Sequence, residues 1–313
     1  MADTTSTLSN LLVNGKVSVA YTLTLADRLS FLQHPVVTAS YIGDLAGGAS
    51  TTAKKQVYGF GANLATSETE GTGAGGAASA TTLTDSSVSA TVGGYSLRRD
   101  MSSLVTSIVG ADKIGAAALI GEDLAVATQM AMVSSFATSA STLTNSVGGT
   151  GTDLTLATVL SGLSTFRQNN CRGPILGLLH SIQWSDLATN IATSGSGSIQ
   201  FGDAGANLAT YQGGSFQGSF LGVDWYISNQ VPLSGDTADR LGAIIGPDAV
   251  VWATSSPAVD NPAIQTVVGA GGMAMLVDVN RDSGAGNSEV VGRVFFGTAK
   301  GLENGVLITS GAS

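Results

Sequence analysis

Asp112–Ser141, DKIGAAALIGEDLAVATQMAMVSSFATSAS, decides how the rest of the chain is read. Ile114, Ala117, Gly121, Leu124, Thr128, Ala131, Met132 and Phe136 recur mostly at steps of three and four. That spacing places them on one face of an α-helix, while Lys113, Glu122, Asp123 and Gln129 break up the other faces. At 1.5 Å per residue the helix is about 45 Å long. Its face mixes small residues with Ile114, Leu124 and Met132, and Phe136 is its one aromatic. Gly115 and Gly121 each cost about 1 kcal/mol relative to alanine in a helix interior, so packing must supply the stability. A membrane span is excluded, because Glu122 and Asp123 interrupt the segment and no run of about 18 apolar residues exists.

The composition around this helix is unusual. Of 313 residues 42 are glycine, and only 11% are charged, against about 25% in average soluble domains. Yet 43% are hydrophobic, which excludes a disordered polyelectrolyte. So few charges suit a protein whose exterior is largely covered by copies of itself. The net charge is −9, and the nearest thing to a basic stripe is the pair Arg98–Arg99. Sequence-specific nucleic-acid binding needs clustered Lys and Arg and is not expected, whereas an acidic wall is compatible with containing DNA. Cys171 is alone, so neither an internal disulfide nor a multi-cysteine zinc site can form. MADTTSTLSN shows no secretory signal, so assembly is expected in a reducing cytoplasm.

Ahead of the helix, residues 1–52 read as an N-terminal arm that packs elsewhere, with Leu25, Leu29 and Leu32 at helical spacing before His34-Pro35. Residues 53–96 read as an extended loop: β-like flanks around Ser67–Ala80, SETEGTGAGGAASA, a tip too long and small to fold on itself. Leu97–Val109 reads as a short helix. Asn145–Gly151 is a loop, and Thr152–Arg167 an amphipathic helix capped by Thr152 or Asp153 with Leu156, Val159, Leu160, Leu163 and Phe166 as its stripe. Pro174–Leu179 reads as a buried strand, and Ser181–Ile191 as a helix. Phe220–Val231 reads as one strand, with Leu221, Val223, Trp225 and Ile227 on one face. Leu241–Thr254 reads as a strand pair turned at Gly246-Pro247-Asp248. Met273–Val279, Glu289–Thr298 and Gly305–Thr309 are closing strands, expected beside the long helix.

Catalytic signatures are mostly absent. His34 and His180 are the only histidines, and no zinc-protease helix motif, nucleophile elbow or phosphate loop occurs. His180 sits between a strand and a helix, where a polar strand end and an active-site residue are both possible. Gly71, Gly73 and Gly76 match G-x-G-x-x-G but lack the flanking strand and helix a dinucleotide site requires. Asp278, Asn280 and Asp282 lack the spacing of a complete calcium loop. No catalytic residue, metal ligand or cofactor is expected. Lys54, Lys55, Arg98 and Arg99 are candidate intersubunit contacts, each being either a solvated base or the partner of a neighbour's carboxylate.

TLTDSSVSATVGGYSLRRD (82–100), the long helix (114–136), RGPILGLLHSIQWSDLATNI (172–191), GSFLGVDWYISNQVP (218–232), RLGAIIGPDAVVWAT (240–254) and EVVGRVFFGTAKGLENGVLI (289–308) follow one another in an order that resembles the major capsid protein of tailed double-stranded DNA bacteriophages. The resemblance covers almost the whole chain and rests on order and spacing. It implies an α+β capsid fold: an N-terminal arm, an extended loop, a peripheral domain at 97–172 built on the long helix as its spine, an α/β axial domain at 173–260, and peripheral strands returning at 261–313. It further implies a major head protein of the virion, self-assembling into hexamers and pentamers of an icosahedral shell around DNA. The arm is too short for a built-in scaffold region, so the resemblance implies a separate scaffolding protein or earlier removal of that region; a portal and decoration proteins are further implied partners, and no membrane is involved. The other readings are the shell of a non-viral cargo-holding compartment, a small α/β enzyme with a site near His180 or Cys171, and a Gly-rich adhesin or tail protein.

Overall fold

Two sheets, one long helix and a two-stranded hairpin organise the chain. The computed structural model describes residues 30–45, 50–59, 84–102, 113–193, 216–235, 239–262, 264–270, 273–282 and 287–311. The elements are α1 (Ser30–Gln33), α2 (Pro35–Ala39), β1 (Tyr41–Asp44), β2 (Thr52–Gly59), β3 (Thr84–Thr91), β4 (Gly93–Ser102) and α3 (Lys113–Ala140). Next come β5 (Ser146–Gly148), α4 (Leu156–Gln168), β6 (Leu176–Leu179), α5 (Ser181–Thr193), β7 (Phe216–Phe220) and β8 (Val223–Ile227). The chain continues with β9 (Asp239–Ile245), β10 (Val250–Thr254), β11 (Gln265–Ala270), β12 (Met273–Asp282), β13 (Asn287–Lys300) and β14 (Gly305–Gly311). The class is α+β, as the sequence implies.

The first sheet runs β1-β10-β13-β12-β11, with β4 also on β13. β13 serves three antiparallel partners: β12 along 287–294, β4 along 287–296 and β10 along 296–300. The second sheet runs β5-β14-β9-β6-β8-β7. Alternation divides its side chains. Leu176, Leu178, Tyr226, Ala243 and Ile245 join the core shared with α3, while Leu179, Val223, Trp225, Ile244, Val306 and Ile308 face α4 and α5.

The structure corrects several sequence readings. Leu97–Ser102 is not the start of a helix but the second half of β4, paired from Leu97↔Gly292 to Ser102↔Asn287. Residues 103–109 of that reading lie outside the described residues. The same pairing takes Gly93–Ser96 out of the loop and into the first sheet. Phe220–Val231 is not one strand. Leu221 (φ 57°) and Gly222 (φ 77°) form a two-residue turn joining β7 to β8, because two positive φ values match the twist of a hairpin. β9 and β10 are not a hairpin: the turn at 246–249 carries the chain from the second sheet to the first. β14 lies in the second sheet, between β5 and β9, rather than beside the spine, and Ser146–Gly148 is a strand. α4, grouped by sequence with the spine, packs on the second sheet through Val159, Leu163 and Phe166. Its cap is Thr155, whose Oγ1 accepts Thr158 N–H at 3.2 Å, one turn later than expected.

The spine helix α3 lies on β13. Gly121, Leu124, Thr128, Met132 and Phe136 are buried as the periodicity requires, and Ala131 is half-buried; side chains 113–118 lie outside the described residues. The approach is close. A Cβ at Gly292 of β13 would stand 2.7 Å from Leu124 Cδ2 and 2.9 Å from Met275 Sδ. Thr298 adds a polar contact: its hydroxyl donates to Ser135 O at 2.9 Å and lies 2.8 Å from Ser139 Oγ.

The hairpin β2–β3 covers the far side of the first sheet. Ala53 and Ala90 pack on Val251 and Ala253, with Val88, Val92 and Ala299 beside them. β3 passes directly over β13 at Gly297, where a Cβ would fall 1.9 Å from Thr91 O. A glycine inside a strand marks this kind of backbone approach. The tip, Ser67–Ala80, lies outside the described residues.

The later part of the N-terminal arm packs into its own subunit. Phe31, Leu32, Val36 and Val37 are buried in the core between the sheets. Phe31 stands edge-on to Phe136 of the spine at 5.1 Å and to Tyr226 of the second sheet at 5.6 Å. Trp252 Nε1–H donates to Val37 O at 2.7 Å, tying the segment to the first sheet. His34 Nδ1 accepts Val36 N–H at 3.2 Å, so the ring proton sits on Nε2 and is donated to Asp224 Oδ2 at 2.9 Å, on the second sheet. Residues 30–40 therefore clip the two sheets together.

The end of the spine is pinned by Glu303. Its carboxylate accepts Thr144 N–H at 3.1 Å and pairs with Lys300, whose Nζ donates to Thr142 O at 3.0 Å. Burial alone would raise this carboxyl, but Lys300 and Thr144 outweigh it and hold it below its ordinary value of 4.5. A depressed carboxyl contributes stability above its unfolded pKa and loses it as pH falls through the folded one. Glu303→Gln is therefore less stable than wild type at pH 6. Urea titrations show the gap closing as pH is lowered below about 4.5.

Candidate functional site

The four bases singled out by sequence lie on the hairpin base and the first sheet. Lys55 is half-buried. Its Nζ donates to Asp248 Oδ1 at 2.5 Å and to Ala39 O at 2.8 Å, locking the hairpin to the turn between the sheets. Lys54, its neighbour, is exposed and has no ion-pair partner among the described residues. Arg98 and Arg99 are strand residues, so they point to opposite faces. Arg98 pairs with Asp100 at 3.0 Å and Glu289 at 3.1 Å on one face. Arg99 pairs with Asp123 of the spine on the other. Three of the four are thus engaged within the chain, and Lys54 alone of them has no ion-pair partner among the described residues.

The histidine and cysteine considered for chemistry are built into the scaffold. His180 Nδ1 accepts Ile182 N–H at 3.2 Å at the start of α5. Burial and Arg240 push its pKa below the ordinary range. Beside it Gln183 is fully buried, accepting His180 N–H at 3.0 Å and donating to Ser310 Oγ at 2.8 Å. Burial and Glu303 push the Cys171 thiol up, the opposite of an activated nucleophile. Cys171 precedes β6 and His180 follows it, so about 13 Å of strand separates them. Asp278 is buried and accepts from Arg293 Nη1 at 2.8 Å. The side chain of Asp282 lies outside the described residues, as do Gly71, Gly73 and Gly76. Among the described residues no group of three or more His, Cys, Asp or Glu is arranged to hold a metal, and no helix is long and apolar enough to cross a membrane.

The surface carries the more informative features. On the spine, Leu119 is 67% and Met130 45% exposed, on the side away from β13. Between the spine and β4 runs a cleft of about 150 Å³ lined by Tyr95, Leu97, Leu124, Ala127, Ala131 and Phe296. Tyr95 stacks on Phe296 at 4.2 Å. On α4, Leu160 of the apolar stripe is 47% exposed. Five large apolar residues between 156 and 166 make a face wider than the sheet can cover, and that surplus is the signal that was available. Leu160 borders an open groove of about 300 Å³ with Leu163, Ser164, Arg167, Gln168 and Leu221.

No family model and no curated protein matches the sequence. Solved structures do. The capsid of Ralstonia phage GP4 matches with a TM-score of 0.57 at 8% identity, over 87% of this chain and 85% of that one. The capsid asymmetric unit of cyanophage Pam1 matches at 0.55 and 12%, over 87% and 88%. The capsid of cyanophage P-SCSP1u matches at 0.53 and 12%, over 87% of each chain. Identities this low speak for backbone architecture, and the architecture is the one these phage capsid subunits share.

Proposed function

We propose that this chain is a major capsid protein, self-assembling into hexamers and pentamers of an icosahedral head around double-stranded DNA. The observation that carries the reading is the shared fold over more than four fifths of the chain. The first sheet with its spine serves as the peripheral part. The second sheet with α4 and α5 serves as the axial part, around five-fold and six-fold axes. The base of the hairpin stays on its own first sheet, the loop that joins β2 to β3 reaches onto a neighbour, and the exposed Lys54 meets that neighbour's carboxylates. The chain performs no reaction; its product is the shell, part of the virion and assembled in the host cytoplasm. A separate scaffolding protein, a portal and decoration proteins complete the particle. DNA is enclosed without sequence readout, in keeping with a net charge of −9.

Negative-stain microscopy and mass measurement of the purified protein test this: rings or megadalton shells are expected, and a persistent monomer overturns it. Shells containing protein cargo in place of DNA would favour the non-viral compartment. Deleting Ser67–Ala80 is expected to leave folded subunits with unchanged circular dichroism but few or no shells. Normal particles from that deletion would remove the hairpin from the assembly contacts.

A further inference from the structure

The outer helix of the second sheet, α4, has opposite and unmatched ends. Asp153 is exposed just before its first turn, and Asp186 of α5 lies beside it. Burial and Asp153 both raise the Asp186 carboxyl, so the two acids crowd each other. Arg167 is exposed in the last turn, on the wall of the apolar groove bordered by Leu160 and Leu221. Among the described residues neither Asp153 nor Arg167 has a partner of opposite charge. The twelve helical steps from Thr155 to Arg167 rise about 18 Å, too far for the ends to meet within one helix.

The helix dipole accounts for an acid at the start and a base at the end. It does not account for what surrounds the base. Leu160 is left 47% exposed, and Leu221 is held at φ 57°, a left-handed conformation that leucine rarely adopts. An apolar groove carrying an unpaired base fits a partner surface that is acidic, and the acid end of α4 in a second copy is such a surface.

We propose that α4 is a head-to-tail contact between copies of this chain: the Arg167 groove of one subunit receives the Asp153–Asp186 end of the next. A contact of this kind, repeated with a constant rotation, closes into a ring. The apolar groove excludes water while the charges set register and suppress wrong pairings. The inference rests on the capsid reading for the existence of rings and names the surface that joins them.

The test uses the full chain in three forms: Arg167→Glu, Asp153→Arg and the double variant carrying both. Thr155, the cap, is untouched, so all three should fold, as circular dichroism checks. Each single variant sets like charges against each other. Each should need at least about tenfold more protein than wild type to form rings, read by native mass spectrometry. The double variant restores opposite charges at every contact and should recover both five- and six-membered rings. An equimolar mixture of the two single variants restores them only when the variants alternate. It should therefore yield six-membered rings and no five-membered ones, because an odd ring cannot alternate. Single variants that assemble like wild type, a double variant no better than the singles, or five-membered rings from the mixture would each overturn the proposal while leaving the capsid reading intact. A wild-type chain that forms no rings overturns both.

Discussion

Phe136→Ala lowers the stability of the isolated subunit by about 3–5 kcal/mol, the usual loss for a fully buried aromatic. The site gives no room for relief. Phe136 is completely buried, and Phe31, itself 1% exposed, presents its edge to it at 5.1 Å. Phe31 also touches Tyr226, whose phenol is pushed up to about 12 by burial and by Asp224 and so stays neutral. The three rings come from the clip, the spine and the second sheet, so a hole at Phe136 loosens all three. The denaturation midpoint in urea should fall with the slope unchanged. A double-mutant cycle with Phe31→Ala should return a coupling of about 0.5–1.5 kcal/mol, the worth of an edge-on pair. An unchanged midpoint would mean that the face of the spine is misassigned.

Gly297→Ala detaches the hairpin. The added methyl would lie 1.9 Å from Thr91 O and 2.6 Å from Thr91 C, and backbone atoms cannot rotate aside. β3 must lift from β13, which uncovers Ala53 and Ala90 and breaks the Lys55–Asp248 bridge. Hydrogen exchange and limited proteolysis should show 52–59 and 84–92 exposed, while β12 and β13 stay protected. Gly292→Ala is the control. Its methyl meets only the ends of Leu124 and Met275, which can shift at a cost of about 1–3 kcal/mol, and the hairpin stays in place. Equal protection of 84–92 in both variants would refute the crossing at Gly297.

The spine was legible because a 28-residue helix repeats its pattern often enough for period and burial to agree. The same holds for α4 and for the strands at 273–298. β4 was not legible. Only Tyr95 and Leu97 mark its alternation, and the strand that makes it a strand, β13, lies far along the chain, so local sequence could not outweigh Arg98-Arg99 and the apolar run after them. The β7–β8 turn was missed for a different reason: leucine at a positive φ carries no turn signature, and only Gly222 hints at it. β9 and β10 were found as strands, but a turn of a few residues does not say whether its strands share a sheet. The bases chosen from sequence were chosen for being paired along the chain, whereas folding gave Lys55, Arg98 and Arg99 internal carboxylates. Arg167 stands alone along the chain, so a search for paired bases does not reach it.

The position of β13 in the chain has a consequence for how the subunit is made. β4, β10 and β12 all hydrogen-bond to it, and β14, later still, fills the gap between β5 and β9 in the other sheet. Every strand from β1 to β12 is therefore synthesised before the first sheet can close on β13, and the second sheet waits for β14. Contacts of such long sequence separation form slowly, and the emerging chain carries unpaired strand edges that favour chaperone capture. The same ordering means that a chain terminated before β13 lacks the closures of both sheets at once.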